Sequence, residues 1–72
     1  MSARTARIAH FVETNDIESF RFLGVQKKEV MNLRFNYNMN LLQLICFEEA
    51  ALILDFIRAK FEDDINSKRQ LA

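Results

Sequence analysis

Cys46 and His10 are the only thiol and the only imidazole in the chain, and together they form the one pairing that could supply a nucleophile and a base. A thiol becomes a working nucleophile when a nearby base or positive charge favours the thiolate. No base lies within helical reach of Cys46, so both residues are expected to be structural, His10 as a partly buried helix residue and Cys46 as a small packed side chain. The carboxylate clusters Glu48-Glu49 and Glu62-Asp63-Asp64 lack the glycine and the alternating ligands of a calcium loop. Gly24 is the single glycine, which leaves nothing from which to build a phosphate-cradling loop. No catalytic, metal-ligating or cofactor-binding residue is therefore expected, and a redox or hydrolytic enzyme using Cys46 and His10 is only a formal reading.

Charge narrows the partners. Ten basic and ten acidic residues cancel, which removes the basic footprint of a dedicated nucleic-acid binder. Lys27-Lys28 and Lys68-Arg69 are short basic pairs read as exposed turns. One cysteine forbids an internal disulfide and points to a reducing, intracellular and cytoplasmic location. The opening MSARTARIAHFV carries Arg4 and Arg7 and no acid, which gives a mitochondrial targeting segment as the alternative.

NLLQLICFEEAALILDFI, residues 40–57, is apolar enough to invite a membrane reading, but Glu48, Glu49 and Asp55 sit inside it. A single span would carry all three carboxylates into hydrocarbon, whereas two short helices broken near Glu48-Glu49 turn them toward water. The expectation is two helices and no membrane partner.

With seven phenylalanines, no proline and one glycine, the chain reads as all-α. Ile8, Phe11 and Val12 form a helical stripe over about residues 4–13. Thr14, Asn15 and Asp16 then turn the chain, and Asp16 or Asn15 caps a second helix carrying Ile17, Phe20 and Leu23 and ended by Gly24. Residues 25–39 show no stripe and are rich in asparagine, so they are read as an extended connector in which Asn36, Asn38 and Asn40 make the turns. Asn40 caps a third helix. After Glu48-Glu49 a fourth presents Ala51, Leu54, Ile57 and Phe61 on one face. One domain over 1–72 results, with helix pairs at 6–24 and 40–60 and the start of a further connector or tail at 61–72.

The two pairs match at an offset of 34 residues: Ile8 with Leu42, Phe11 with Ile45, Val12 with Cys46, Ile17 with Ala51, Phe20 with Leu54, Phe22 with Phe56 and Leu23 with Ile57. The connectors match too, Glu29 with Asp63, Met31 with Ile65, Asn32 with Asn66 and Arg34 with Lys68. Helical period alone would not align connectors, so the pattern is read as an internal repeat. Phe20 and Leu54 are expected to be buried where the second pair packs back onto the first.

MNLRFNYNMNLLQLIC resembles the ankyrin pattern V-N-A-x-D-x-x-G-x-T-P-L-H-L-A-A, with Met31-Asn32 at V-N, Asn38 at the glycine, Asn40-Leu41 at T-P and Leu42-Gln43-Leu44 at L-H-L. ETNDIESFRFL resembles E-x-G-D-x-E-x-V-x-x-L, and LILDFI is similar to E-I-V-K-L-L. The resemblance implies two stacked helix-turn-helix pairs joined by an extended finger, an ankyrin-like solenoid fragment that works as a non-catalytic protein-protein interaction module. It also implies a binding surface of Arg34, Asn36 and Tyr37 on the finger with Gln43 and Phe47 on the inner helix. INSKRQLA lines up with MNLRFNYN, where a third pair would begin. Phe47, Leu52, Ile53 and Phe56 are therefore expected to form a face toward the C-terminal side, covered by another protein, by further repeats or by a second copy in a homo-oligomer. The alternative is a small helical accessory subunit of a large assembly, ordered by neighbouring chains.

Overall fold

The computed structural model describes the backbone of residues 2–71 and the side chains of residues 2–61. Five α-helices follow one another, α1 (Ala3–Glu13), α2 (Ile17–Leu23), α3 (Lys27–Asn32), α4 (Leu41–Phe47) and α5 (Ala51–Leu71), with a short 3₁₀ turn at Asn36–Asn38. Among the described residues there is no strand. The chain is all-helical, as its composition predicts.

Local chemistry sets the helix starts. Ser2 accepts the Thr5 amide at 3.1 Å, Asp16 the Ser19 amide at 3.2 Å and Asn40 the Gln43 amide at 2.8 Å. Each satisfies a donor that the first helical turn leaves unpaired. The bonds from Ser19 also hold the Asp16 carboxyl below its usual range. Gln43 closes a reciprocal box by accepting the Asn40 amide at 2.8 Å. Gly24 ends α2 with φ 62°, a left-handed value that glycine adopts without a side-chain penalty.

The two helix corners share one backbone pattern. At the first, Thr14, Asn15, Asp16 and Phe20 donate to His10, Val12, Phe11 and Asp16; at the second, Glu48, Glu49, Ala50 and Leu54 donate to Leu44, Cys46, Ile45 and Ala50. All four bonds recur 34 residues on, and the left-handed residues Asn15 (φ 53°) and Glu49 (φ 56°) do the same. α1 packs beside α4, and α2 beside α5. The core between them is built from Ile8, Val12, Phe20, Leu41, Leu44, Ile45, Ala50, Ile53 and Ile57.

The connector differs from its expected extended form. It contains α3, whose Glu29 accepts the Gln26 amide at 2.9 Å, and it sends Val25, Val30 and Phe35 into the core. A six-residue helix with one inward residue has no periodic stripe to read. Arg4 clamps α3 to α1: its Nε and Nη2 donate to the two Glu29 oxygens at 2.7 and 3.0 Å, and Nη2 also donates to the Leu23 carbonyl at 2.9 Å. The Arg4 guanidinium, helped by the Gln26 amide, holds the Glu29 carboxyl down to about 2.

α5 runs on to Leu71, through the segment expected to start a further connector or a tail. Residues 58–71 contain neither glycine nor proline, so nothing in the chain stops the helix. The side chains of Glu62-Asp63-Asp64 and of Lys68-Arg69 lie outside the described residues.

The buried face of α5 is Ile53 and Ile57, extended by Ala50 just before the helix, with Leu54 and Phe56 half-buried and Ala51 exposed. Ile53, expected on an open face, is fully buried, and Leu54, expected in the core, is only partly covered. Cys46 and His10 are both exposed rather than packed.

Candidate interaction surface

The finger is pinned at both ends and free at its tip. Phe35 is buried, its amide donates to the Met39 carbonyl at 2.8 Å, and Leu41 anchors the start of α4 in the core. Between these anchors Tyr37 and Asn38 take φ of 61° and 58°. Two successive left-handed residues are the arrangement of a type I′ turn, which normally selects glycine, asparagine or aspartate. Asn38 fits that rule and Tyr37 does not. An aromatic residue held left-handed costs on the order of 1 kcal/mol, and Tyr37 recovers little through packing because it is 90% exposed.

The other expected partner-binding residues divide. Asn36 shares the exposed tip, whereas the Arg34 guanidinium turns back, Nη1 donating to the Met31 and Leu33 carbonyls at 2.8 and 3.0 Å. Gln43 is occupied in capping α4. Phe47 and Leu52 flank the α4–α5 corner and are 65% and 53% exposed. Phe56 is not an exposed contact: its ring meets Phe20 edge-on, with the Arg21 guanidinium 5.9 Å and the Lys60 ammonium 5.7 Å from its centroid. Of the seven residues, Asn36 and Tyr37 form a tip, Phe47 and Leu52 a corner, Phe56 packs against Phe20, and Arg34 and Gln43 are engaged by backbone groups.

Cys46 and His10 lie on different helices, α4 and α1. Cys46 lines a groove between α4 and α5, while the His10 ring lies against Phe11 with centroids 5.7 Å apart. No hydrogen bond joins them among the described residues.

Phe22, 95% open on α2, is the most exposed of the large apolar residues not expected at the surface, beside Met31 and Leu42. The signal was present. Phe20 and Phe22 are two positions apart, so a helix directs them to nearly opposite sides and cannot bury both against one neighbour. Phe22 lines a groove of about 410 Å³ with Arg7, Phe11, Glu18, Ser19 and Leu23.

Among the described residues no helix is long and apolar enough to cross a membrane. No family model matches the chain, and no curated protein and no solved structure matches it. The ankyrin resemblance rests on the residues quoted above.

Proposed function

We propose that the chain is a non-catalytic protein-protein interaction module of ankyrin-like type, with Tyr37 at the finger tip as its principal contact. Tyr37 carries the reading: a large amphipathic ring sits on a left-handed backbone at the end of a firmly anchored loop and takes little part in its own fold. Backbone strain of this kind concentrates at recognition sites, and tyrosine is among the residues most often found as an energetic anchor. The recurrence of both corners after 34 residues supports the ankyrin-like part of the proposal. The lone exposed Cys46 suits a reducing, intracellular location.

Affinity capture from a lysate of the source cells tests this, comparing the wild-type chain with Tyr37→Ala. The expected result is an interacting protein retained by the wild type and lost by a variant whose circular dichroism and melting temperature are undiminished. Equal capture by both chains removes Tyr37 as the contact. Exposed Phe47 and Leu52 favour the second reading, an accessory subunit held by neighbouring chains, for which Phe47→Glu rather than Tyr37→Ala abolishes capture.

A further inference from the structure

Arg34 is the only charged residue between Val30 and Phe47, in a chain that carries ten basic and ten acidic residues. By contrast α1, α2 and α5 each expose both signs: Arg7 and Glu13, Glu18 and Arg21, Asp55 and Arg58. The one charge of the segment is turned back on its own chain, Arg34 Nη1 donating to the Met31 and Leu33 carbonyls.

A charge-free segment is expected where a chain is buried, but this one is open. α4 buries Leu41, Leu44 and Ile45 and turns Leu42, Gln43, Cys46 and Phe47 outward. Leu42 with Cys46, and Gln43 with Phe47, form two neighbouring rows of spacing i, i+4. The finger runs directly into this face, since Asn40 caps α4 just after the exposed tip at Tyr37 and Asn38. α3 packs beside α4 and adds exposed Met31. Tyrosine, phenylalanine and methionine without lysine, glutamate or aspartate is the composition of the centre of a protein interface.

We propose that the outer face of α4, continued by the finger tip, docks an amphipathic helix of another protein whose contacting stripe is apolar and uncharged. Charge complementarity selects this partner. A carboxylate or ammonium brought against the face would lose its water and meet no opposite charge, and a phosphate backbone would find no cation except the engaged Arg34. The helical form follows from the face itself. Rows of spacing i, i+4 on one helix accept the ridges of another, and α4 is already packed by α1, α3 and α5 on its other sides. Apolar contact holds the pair, so binding is nearly independent of salt.

The inference rests on the reading of the chain as an interaction module and names the chemistry of its partner. Selection from a phage-displayed library of randomised helical peptides tests it, with the 72-residue chain as bait and Leu42→Glu and Cys46→Glu as counter-baits. Both positions are exposed, and an acid in the first turn of α4 suits the helix dipole, so both variants keep their helical circular dichroism. Selected peptides are expected to carry an uncharged apolar stripe at helical spacing, to bind equally at low and high salt, and to slow alkylation of the Cys46 thiol by N-ethylmaleimide. Each variant should bind them roughly tenfold or more weakly. A charged stripe with salt-sensitive binding, peptides indifferent to both variants, or no selected peptide overturns the proposal. So does concentration-dependent mass that Leu42→Glu abolishes, which gives the face to a second copy, or adsorption to phosphatidylcholine vesicles, which gives it to lipid. Tyr37→Ala separates this proposal from the one it rests on. Peptides that ignore Tyr37→Ala but are lost with Leu42→Glu and Cys46→Glu keep the α4 face and remove Tyr37 as the principal contact; the opposite pattern keeps Tyr37 and removes the face.

Discussion

Phe56 meets Phe20 edge to face, ring centroids 6.1 Å apart and planes at 85°, and this contact fastens α5 onto α2. An edge-to-face pair adds about 1 kcal/mol beyond the area it buries. Phe20 is fully buried and Phe56 only partly so. Phe20→Ala should cost about 3–5 kcal/mol, a large fraction of what a domain of this size possesses, and Phe56→Ala about 2 kcal/mol. A double-mutant cycle by urea denaturation should return a coupling near 1 kcal/mol. Strictly additive losses would place the two rings out of contact.

Ile53 and Leu54 are adjacent on α5 and should respond differently to truncation. Ile53 is fully buried, so Ile53→Ala should lower stability by about 3 kcal/mol, whereas half-buried Leu54 should lose about 1 kcal/mol on the same change. Comparison of the two melting temperatures checks the orientation of α5. A larger loss at Leu54 would rotate the helix away from the arrangement described.

The same pair of residues marks where the sequence stops being legible. Helix corners, caps and the all-helical class were readable because Asp16, Gly24 and Asn40 have local roles that follow from residue type. Burial of Leu54 was inferred from its match with Phe20, and that step fails for a physical reason. Equivalent positions in stacked pairs point the same way, whereas packing joins the front of one pair to the back of the other. With one neighbour present, Phe20 is fully covered and Leu54 only in part. Asn38 was recognisable as a turn-maker and Asn40 as a cap, but nothing about Tyr37 announces a left-handed backbone, and the inward turn of Arg34 depends on carbonyls that α3 exposes.

Arg4 and Glu29 give stability a pH dependence. The Glu29 carboxyl is depressed from its ordinary value near 4.5 to about 2 by the Arg4 guanidinium and the Gln26 amide. A lowered folded-state value means that the unfolded chain binds the proton first, so the contribution is complete above about pH 5 and is lost as pH falls toward 2. Arg4 remains 43% exposed, which limits the contribution to about 1 kcal/mol through solvent screening. Wild type should exceed Glu29→Gln by that amount at pH 7, and the two denaturation curves should converge near pH 2. A gap that persists at low pH would assign the difference to packing rather than charge.

Asn15 turns the first corner at φ 53°, and among the described residues its buried Oδ1 has no hydrogen-bond partner. Two costs meet at this position: a left-handed backbone and a desolvated acceptor. Glycine removes both, so Asn15→Gly should stabilise the protein by about 0.5–1 kcal/mol, net of the extra freedom it gives the unfolded chain. Alanine removes the acceptor but tolerates the left-handed backbone less well than asparagine does. If conformation dominates, Asn15→Ala should destabilise by about 1 kcal/mol while Asn15→Gly stabilises; if the orphaned oxygen dominates, both should raise the melting temperature. Conformation should win, because asparagine tolerates a positive φ that alanine does not and because Glu49 holds the same left-handed backbone at the second corner. Thermal melts of the two variants decide between these costs, and a fall in melting temperature for Asn15→Gly would contradict the corner geometry itself.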